Sequence, residues 1–219
     1  MLKYLSYPLD RDAPRPPAIP AAELEEFMSV AADGASVQRL SVYSHTGTHV
    51  DTSAHVFEGG VHITEFSPDE LVFNRVGVID MELPDKTVIE RRDLEKYNAV
   101  LAENEFILFN FGLIDKRARD PERFIASSPG FSVGAGKYIG QFGNIRGIGM
   151  DSPSVASIYR LDETMRVHNG LLCLRNGRFF IVEEMKLARS EQPPDRLMLL
   201  PWLVKGMHSG PCTVLGEYE

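Results

Sequence analysis

Residues 44–55 carry three of the chain's six histidines and one aspartate, at His45, His49, Asp51 and His55. Imidazole nitrogens and carboxylate oxygens are the groups that bind zinc, manganese, iron and nickel in proteins. A lone histidine in a polar loop is more often a hydrogen-bonded structural residue, but packing alone does not explain so many ligand-type side chains in one short stretch. The pattern therefore predicts a metal site.

The spacing of these residues limits the backbone conformation that brings them together. In an ideal strand, at roughly 3.3 Å per residue, His45 and His49 would lie about 13 Å apart. That is too far for one ion with ligand bonds of about 2 Å. A helix is disfavoured by Gly47 and the surrounding β-branched residues. We therefore expect a bent loop at a strand end, in which Gly47 lets both histidines and Asp51 fold around one point.

Composition is that of an ordinary globular chain. Its 219 residues are 43% hydrophobic and 25% charged, enough for one large domain with a substantial core. The formal charge of −8 and the lack of a basic cluster argue against nucleic-acid binding. With no apolar signal core and no apolar run of about 18 residues, we expect no membrane insertion and a cytoplasmic location. Cys173 and Cys212 predict neither a disulfide nor thiolate ligation.

The elements before the histidine loop are predicted from proline content and apolar spacing. Residues 1–20 are expected to be an extended arm, because their second half is rich in proline. Residues 21–32 fit a short helix with one apolar face. Residues 36–43 alternate in the manner of a strand, and this strand is expected to lead into the loop.

Beyond the loop, strand-like and helix-like segments alternate. Strands are predicted near residues 76–81, 105–111, 145–150, 178–183 and 212–218, and helices near residues 87–98, 132–142 and 162–173. His168 on the last helix and Glu183 at the end of a buried strand are candidates to complete the metal site. The loop that carries Phe57, His62 and Phe66 is expected to border a pocket, although aromatic side chains are also common in a core.

The stretch from His45 to His55 resembles the His-x-Gly-Thr-His-x-Asp-x-Pro-x-His signature of the metal-dependent cyclase family, which includes bacterial kynurenine formamidases and isatin hydrolases. Residues 129–132, 149–155, 168–172 and 181–183 match further family segments in the same order. The chain departs from the family at Ser53, where the motif has proline, which we expect to loosen the loop. The interval from His168 to Glu183 is also long, and residues 175–178 resemble an inserted hairpin.

The resemblance implies a swivelling β/β/α fold, an α/β class with a mixed sheet and flanking helices, in one domain over residues 1–219. It implies that His45, His49 and Asp51 bind a first ion, that Asp51 bridges to a second ion held by His168 and Glu183, and that His55 is the acid/base. The long interval leaves Glu184 as an alternative to Glu183. The implied cofactor is one or two zinc or manganese ions, and the implied assembly is a homodimer or homotetramer.

This ligand set suits hydrolysis of a small molecule. A divalent ion lowers the pKa of water from 15.7 toward about 7 and polarises a carbonyl, and His55 is placed to transfer the proton. We predict hydrolysis of a small amide, cyclic amide or lactone. A non-haem iron oxygenase using His49, Asp51 and His168 is an alternative, but it leaves His45 and His55 unexplained. A metal-binding protein without catalysis is another, although a structural ion needs no acid/base.

Overall fold

A computed structural model describes residues 1–157, 161–189 and 192–219. Its strands are β1 (Leu2–Tyr4), β2 (Glu23–Met28), β3 (Val37–Ser41), β4 (His49–Asp51), β5 (Val72–Phe73), β6 (Val76–Asp80), β7 (Val88–Ile89), β8 (Phe106–Asn110), β9 (Gly130–Phe131), β10 (Gly147–Met150), β11 (Phe180–Glu183), β12 (Arg196–Pro201) and β13 (Ser209–Glu217). Its α-helices are α1 (Val30–Asp33), α2 (Arg91–Leu94), α3 (Asn98–Glu103), α4 (Ile114–Arg119), α5 (Pro121–Ser127), α6 (Val133–Ile139), α7 (Leu161–Leu172) and α8 (Leu174–Gly177). Short 3-10 helices lie at Ser53–His55, Ile63–Glu65, Pro68–Leu71 and Glu95–Tyr97.

A nine-stranded mixed sheet forms the centre of the fold, in the order β5-β12-β13-β4-β11-β10-β8-β6, with β1 paired to β13. The strands β6, β8, β10 and β11 run parallel to one another. The short strand β4 is antiparallel to both of its neighbours, β11 and β13. Helices flank the sheet, and the α/β class with a mixed sheet is confirmed.

The core holds the central strands rigidly. Every residue of β8, β10 and β11 is buried, as expected for parallel strands covered on both faces. One apolar cluster includes Phe109 and Leu171, and a second includes Phe73 and Phe180. The ends of these strands are therefore fixed positions on which a site can be built.

Most of the predicted strands and helices are present, but the predicted helix at residues 21–32 is wrong. These residues form β2, which pairs antiparallel with β3, and only the single turn α1 follows. Leu24 and Phe27 are exposed instead of covering a helix interface. Pairing with β3 satisfies the backbone of β2 and outweighs the helix propensity of its glutamates.

Two further expectations are corrected. The helix expected from about residue 87 begins only at Arg91, because residues 88–89 pair with β9 and Glu90 is the N-cap. Residues 175–178 do not form a hairpin. They lie in and just after α8, where Arg175 and Asn176 adopt left-handed backbone angles, with φ of 55° and 57°.

The amino-terminal segment is partly a strand and partly irregular. Residues 2–4 of the expected arm form β1, which pairs with β13. Residues 5–22 contain no helix or strand, in agreement with their proline content. None of the helices in the described ranges combines the length and apolar character needed to cross a membrane.

Candidate metal centre

The register of β4 places two candidate ligands opposite a third. His49 and Asp51 are two residues apart on the strand, so their side chains project from the same face. Glu183 on β11 is the direct cross-strand partner of His49. His49 Nε2 lies 3.2 Å from Glu183 Oε2 and 3.9 Å from Asp51 Oδ1. Pairing with β11 and β13 thus holds this group at the centre of the sheet.

The loop before β4 bends at Gly47, as predicted. Gly47 has φ of 63°, a left-handed conformation that glycine adopts without steric cost. The bend brings the His45 and His49 ring centroids to 4.9 Å and places His45 Nδ1 3.3 Å from Asp51 Oδ1. His49 Nδ1 donates to the Gly47 carbonyl at 2.9 Å. This hydrogen bond orients the ring and leaves Nε2 available to a metal.

His168 reaches the cluster from α7. Its Nδ1 donates to the carbonyl of Thr164 one turn earlier, at 2.9 Å. Its Nε2 lies 3.4 Å from Glu183 Oε1 and 4.0 Å from Asp51 Oδ2. Asp51 therefore presents Oδ1 to the histidines of the β4 loop and Oδ2 to His168, the arrangement that a bridging carboxylate requires.

Three buried atoms in this cluster lack hydrogen-bond partners in the part of the chain that the structure describes: His49 Nε2, Asp51 Oδ1 and Asp51 Oδ2. Buried polar atoms without partners are costly, and a cation would satisfy all three. The candidate ligand atoms of His49, Asp51 and Glu183 lie within 4.8 Å of one another, as do those of His45, Asp51 and His55. The donor set fits a divalent metal ion.

Burial and the carboxylates set the protonation of the cluster. Burial lowers the pKa of His45 to about 4, although Asp51 acts in the opposite direction. Burial would also lower the pKa of His49 and His168, but Glu183 and Asp51 outweigh it and raise both to about 9. Burial raises the pKa of Glu183, but the two imidazoles hold it below its usual range. Without a metal, two protonated imidazoles therefore balance the carboxylates, and an ion would replace those protons.

Glu184 has a different environment from its neighbour. Its φ is 56°, and its Oε1 accepts from Arg117 Nη2 at 2.6 Å and Nε at 2.9 Å. The Arg117 guanidinium also lies over the Tyr7 ring, 3.7 Å from its centroid. Of the two adjacent glutamates, Glu183 contacts the histidine cluster and Glu184 pairs with Arg117.

The 3-10 helix Ser53–His55 carries His55 to the edge of the cluster. Ser53 is buried; its hydroxyl donates to the Gly177 carbonyl at 2.9 Å and accepts from the Val61 amide at 2.8 Å. These two hydrogen bonds anchor the segment at the position where the motif has proline, and the expectation that the loop is looser than with proline stays a prediction. The half-buried His55 ring lies 4.5 Å from the His45 ring and 5.9 Å from the His168 ring, between centroids.

A cavity of about 230 Å³ opens over the cluster. Its lining includes His45, His55 and His168 together with Pro16 and Ile19 of the amino-terminal segment. These two residues were not identified from the sequence, since nothing in the pattern of residues 10–20 indicates where they fold back. The cavity has the size for a small molecule held next to the metal ligands.

The three residues predicted to border the pocket do not line this cavity. Phe57 is 56% exposed, and Phe66 is buried with its ring 4.5 Å from that of Phe180. His62 begins the helix Ile63–Glu65, and its amide donates to Glu65 Oε2. Phe66 is therefore a core residue, and His62 is the N-cap of a short helix; neither lines the cavity.

His208, which the sequence did not single out, is the fifth histidine at this site. Its ring is stacked on that of His55, with centroids 5.5 Å apart and an interplanar angle of 23°. Of the six histidines, only His62 lies outside the group. The only sequence signal was residue type, because His208 is distant from the motif and arrives through the pairing of β13 with β4.

The profile of the family described as "Putative cyclase" matches residues 4–157. The chain belongs to this family. Cyclase-like protein 1 of Arabidopsis thaliana is 28% identical over 209 residues, which are 89% of this chain and 78% of that protein. The cyclase-family fold is also seen in isatin hydrolase A from Labrenzia aggregata bound to benzyl benzoate, with a TM-score of 0.82 at 19% identity over 100% of this chain and 94% of that one. A potential metal-dependent hydrolase with cyclase activity has a TM-score of 0.72 at 19% identity, over 99% and 96% of the two chains.

Proposed function

We propose that the chain is a metal-dependent hydrolase that cleaves a C–N bond of a small amide or cyclic amide, or the ester bond of a lactone. The single observation that carries the proposal is the buried, unpartnered set of His49 Nε2 and both Asp51 oxygens, adjacent to a cavity. His45, His49 and Asp51 would hold one ion, and His168 and Glu183 together with Asp51 would hold a second. Nitrogen and carboxylate ligands of this kind suit zinc or manganese.

A bound divalent ion supplies two kinds of chemistry, a lowered pKa for water and polarisation of a carbonyl. Asp51 and Glu183 provide the negative charge, and the Gly47 and Thr164 carbonyls keep the ligating imidazoles in the correct tautomer. The substrate's carbonyl lies in the cavity with its leaving group toward His55. His55 accepts the proton of the attacking water and returns it to the leaving nitrogen or oxygen.

The environment of His55 suits this role. Burial lowers the pKa of His55, although Asp51 acts in the opposite direction, so the ring is neutral and able to accept a proton at neutral pH. His55 is half-buried and lines the cavity, so its side chain is next to the space in which a substrate would lie. The substrate class is further supported by the structural likeness to isatin hydrolase A, whose name indicates hydrolysis of a cyclic amide.

The test is hydrolysis by protein purified without chelator, with N-formylkynurenine, isatin and simple lactones as substrates. We expect at least one to be hydrolysed, with loss of activity in EDTA and recovery on adding zinc or manganese. His55→Ala should keep the metal and lose roughly 100-fold or more in kcat, whereas His62→Ala, the matched control outside the cluster, should be unchanged. Full activity of metal-loaded His55→Ala would exclude its role, and oxygen-dependent turnover with ferrous iron would favour an oxygenase.

We also propose that the chain self-associates through the β2–β3 hairpin. Both strands are exposed along nearly their whole length, and Phe27 is 77% exposed. A two-stranded sheet is at best marginally stable alone, and this one presents a large apolar surface to solvent. A second copy is the favoured occupant, because the exposed apolar side chains Leu24 and Phe27 can pack against the exposed apolar segment 202–204, and the glutamates of β2 are opposite in charge to the neighbouring Lys205.

Light scattering after gel filtration tests this assembly. We expect a mass of two or four chains for the wild type and of one chain for Phe27→Asp. Phe57→Asp is the control, because Phe57 is also exposed but belongs to the segment after the helix Ser53–His55 and not to the hairpin. A monomeric wild-type protein, or a Phe27→Asp variant that keeps the wild-type mass, would exclude the hairpin as the interface.

A further inference from the structure

We propose that His208 is a positioning residue that holds the His55 ring in its working orientation; this inference rests on the proposed role of His55. In the described ranges, neither ring nitrogen of His55 has a hydrogen-bond partner. An acid/base histidine usually has such a partner to fix its orientation. Among the described residues, ring contacts are the interactions that can restrain the His55 ring.

His208 has the geometry to supply it. Its ring lies nearly parallel to that of His55, at 23°, whereas the His45 and His168 rings meet His55 at 51° and 72°. A nearly parallel ring at this distance is within the range of offset aromatic contacts, and it limits the rotation of the imidazole about its side-chain torsions. His45 and His168 belong to the candidate ligand set, so His208 is the neighbouring ring that is free to act as a support.

The position of His208 is itself fixed. Its carbonyl accepts from both the amide and the hydroxyl of Thr52, at 3.0 Å and 2.8 Å. Its Nδ1 lies 3.1 Å from the hydroxyl of Ser209, which is fully buried and pairs with Asp51 in the β4–β13 register. The strand β4, which carries His49 and Asp51, and its neighbour β13 therefore also fix the segment that presents the His208 ring.

The cavity distinguishes support from direct catalysis. His55 lines it, whereas His208 is absent from its described lining. His208 is thus expected to influence how often His55 is correctly oriented, and not to contact the substrate.

Two substitutions separate these roles. His208→Ala removes the ring, and His208→Phe keeps a flat ring without nitrogens; neither alters the backbone hydrogen bonds to Thr52. We expect His208→Ala to lower kcat roughly 3- to 10-fold with KM and metal content unchanged, the size of an aromatic contact. His208→Phe should recover most of kcat. In a His55→Ala background, adding His208→Ala should have no further effect.

Histidine-selective NMR gives a readout that does not depend on activity. In full-length protein as purified and after zinc addition, the His55 ring protons, assigned by their loss in His55→Ala, should carry an upfield ring-current shift. His208→Ala should remove this shift and His208→Phe should preserve it. If these signals behave as expected but the wild type hydrolyses nothing, the proposed hydrolase function fails, while the contact by which His208 orients the His55 ring is still supported.

Three results would overturn the positioning role. The first is an unchanged His55 signal and unchanged kcat in His208→Ala. The second is a His208→Phe variant as impaired as His208→Ala, which would assign the effect to the ring nitrogens. The third is an effect confined to KM, which would make His208 a substrate contact.

Discussion

The adjacent glutamates offer a stringent mutational comparison, because they share burial and sequence context but have different partners. Glu183→Gln removes the charge that lies 3.2 Å from His49 Nε2 and 3.4 Å from His168 Nε2. Glu184→Gln removes the partner of Arg117 instead. We expect the first substitution to remove most of the stabilisation that comes from the ion assigned to Glu183 and His168, and the second to leave the response to metal intact.

The magnitude follows from binding linkage. At a metal concentration 100 times the dissociation constant, binding stabilises the folded state by about 2.7 kcal/mol. Loss of an outer partner of a ligand weakens metal binding 10- to 100-fold, so loss of a ligand should weaken it by at least about 100-fold. At the same metal concentration the gain from the ion that Glu183 holds then falls to about 0.4 kcal/mol in Glu183→Gln.

Glu184→Gln should behave in the opposite way. Its carboxylate and Arg117 are both largely buried, and breaking a buried pair costs on the order of 3 kcal/mol. We therefore expect a less stable protein whose gain on adding metal still approaches 2.7 kcal/mol. The ion binds ligands that this substitution does not touch.

Denaturant unfolding of chelator-treated protein, with and without added zinc or manganese, measures both quantities. Metal analysis after desalting gives the stoichiometry independently. A Glu183→Gln variant that keeps the full metal response, together with a Glu184→Gln variant that loses it, would refute the assignment and make Glu184 the ligand.

Three further predictions concern pH and the loops around the site. Because the folded-state pKa values of His49 and His168 are raised from 6.5 to about 9, the stability they give the metal-free protein is present below pH 6.5 and lost as pH rises to about 9. Each could contribute on the order of 3 kcal/mol, less than additively since they share a carboxylate. Metal affinity should rise over the same window, as unfolding and metal titrations from pH 6 to 9 would show; equal stability at both ends would contradict the shifts. Gly47→Ala should cost about 1 kcal/mol and weaken metal binding by displacing His45, whereas an unchanged metal titration would show that the bend is not needed. Ser53→Ala should lower stability by about 1–3 kcal/mol in thermal or chemical unfolding, because two buried hydrogen bonds are lost; a neutral effect would mean that the loop is fixed by other contacts.

The parts of the fold that sequence patterns predicted are those in which local pattern and tertiary packing agree. The strands β8, β10 and β11 are continuous apolar runs because both faces of a parallel sheet are covered. The bend at Gly47 was also predictable, since no regular element brings His45 close to His49. Both inferences depend on residues close together in the chain.

The missed features depend on contacts between distant segments. The glutamate-rich strand β2 favours a helix on its own, and only its pairing with β3 makes it a strand. His208 reaches His55 because β13 pairs with β4, a contact that no local pattern encodes. The anchoring of Ser53 was also not predictable from local sequence. The carbonyl that accepts from its hydroxyl belongs to Gly177, which is far along the chain.

The most direct measurement is the metal content of the protein purified without chelator, compared between the wild type and Asp51→Asn. Asp51 is fully buried, and both of its oxygens lack hydrogen-bond partners among the described residues. We expect one or two zinc or manganese ions per wild-type chain and a folded Asp51→Asn variant with little or no metal. A wild-type protein that binds no divalent ion even when saturating metal is supplied, or an Asp51→Asn variant with wild-type content, would contradict the metal centre.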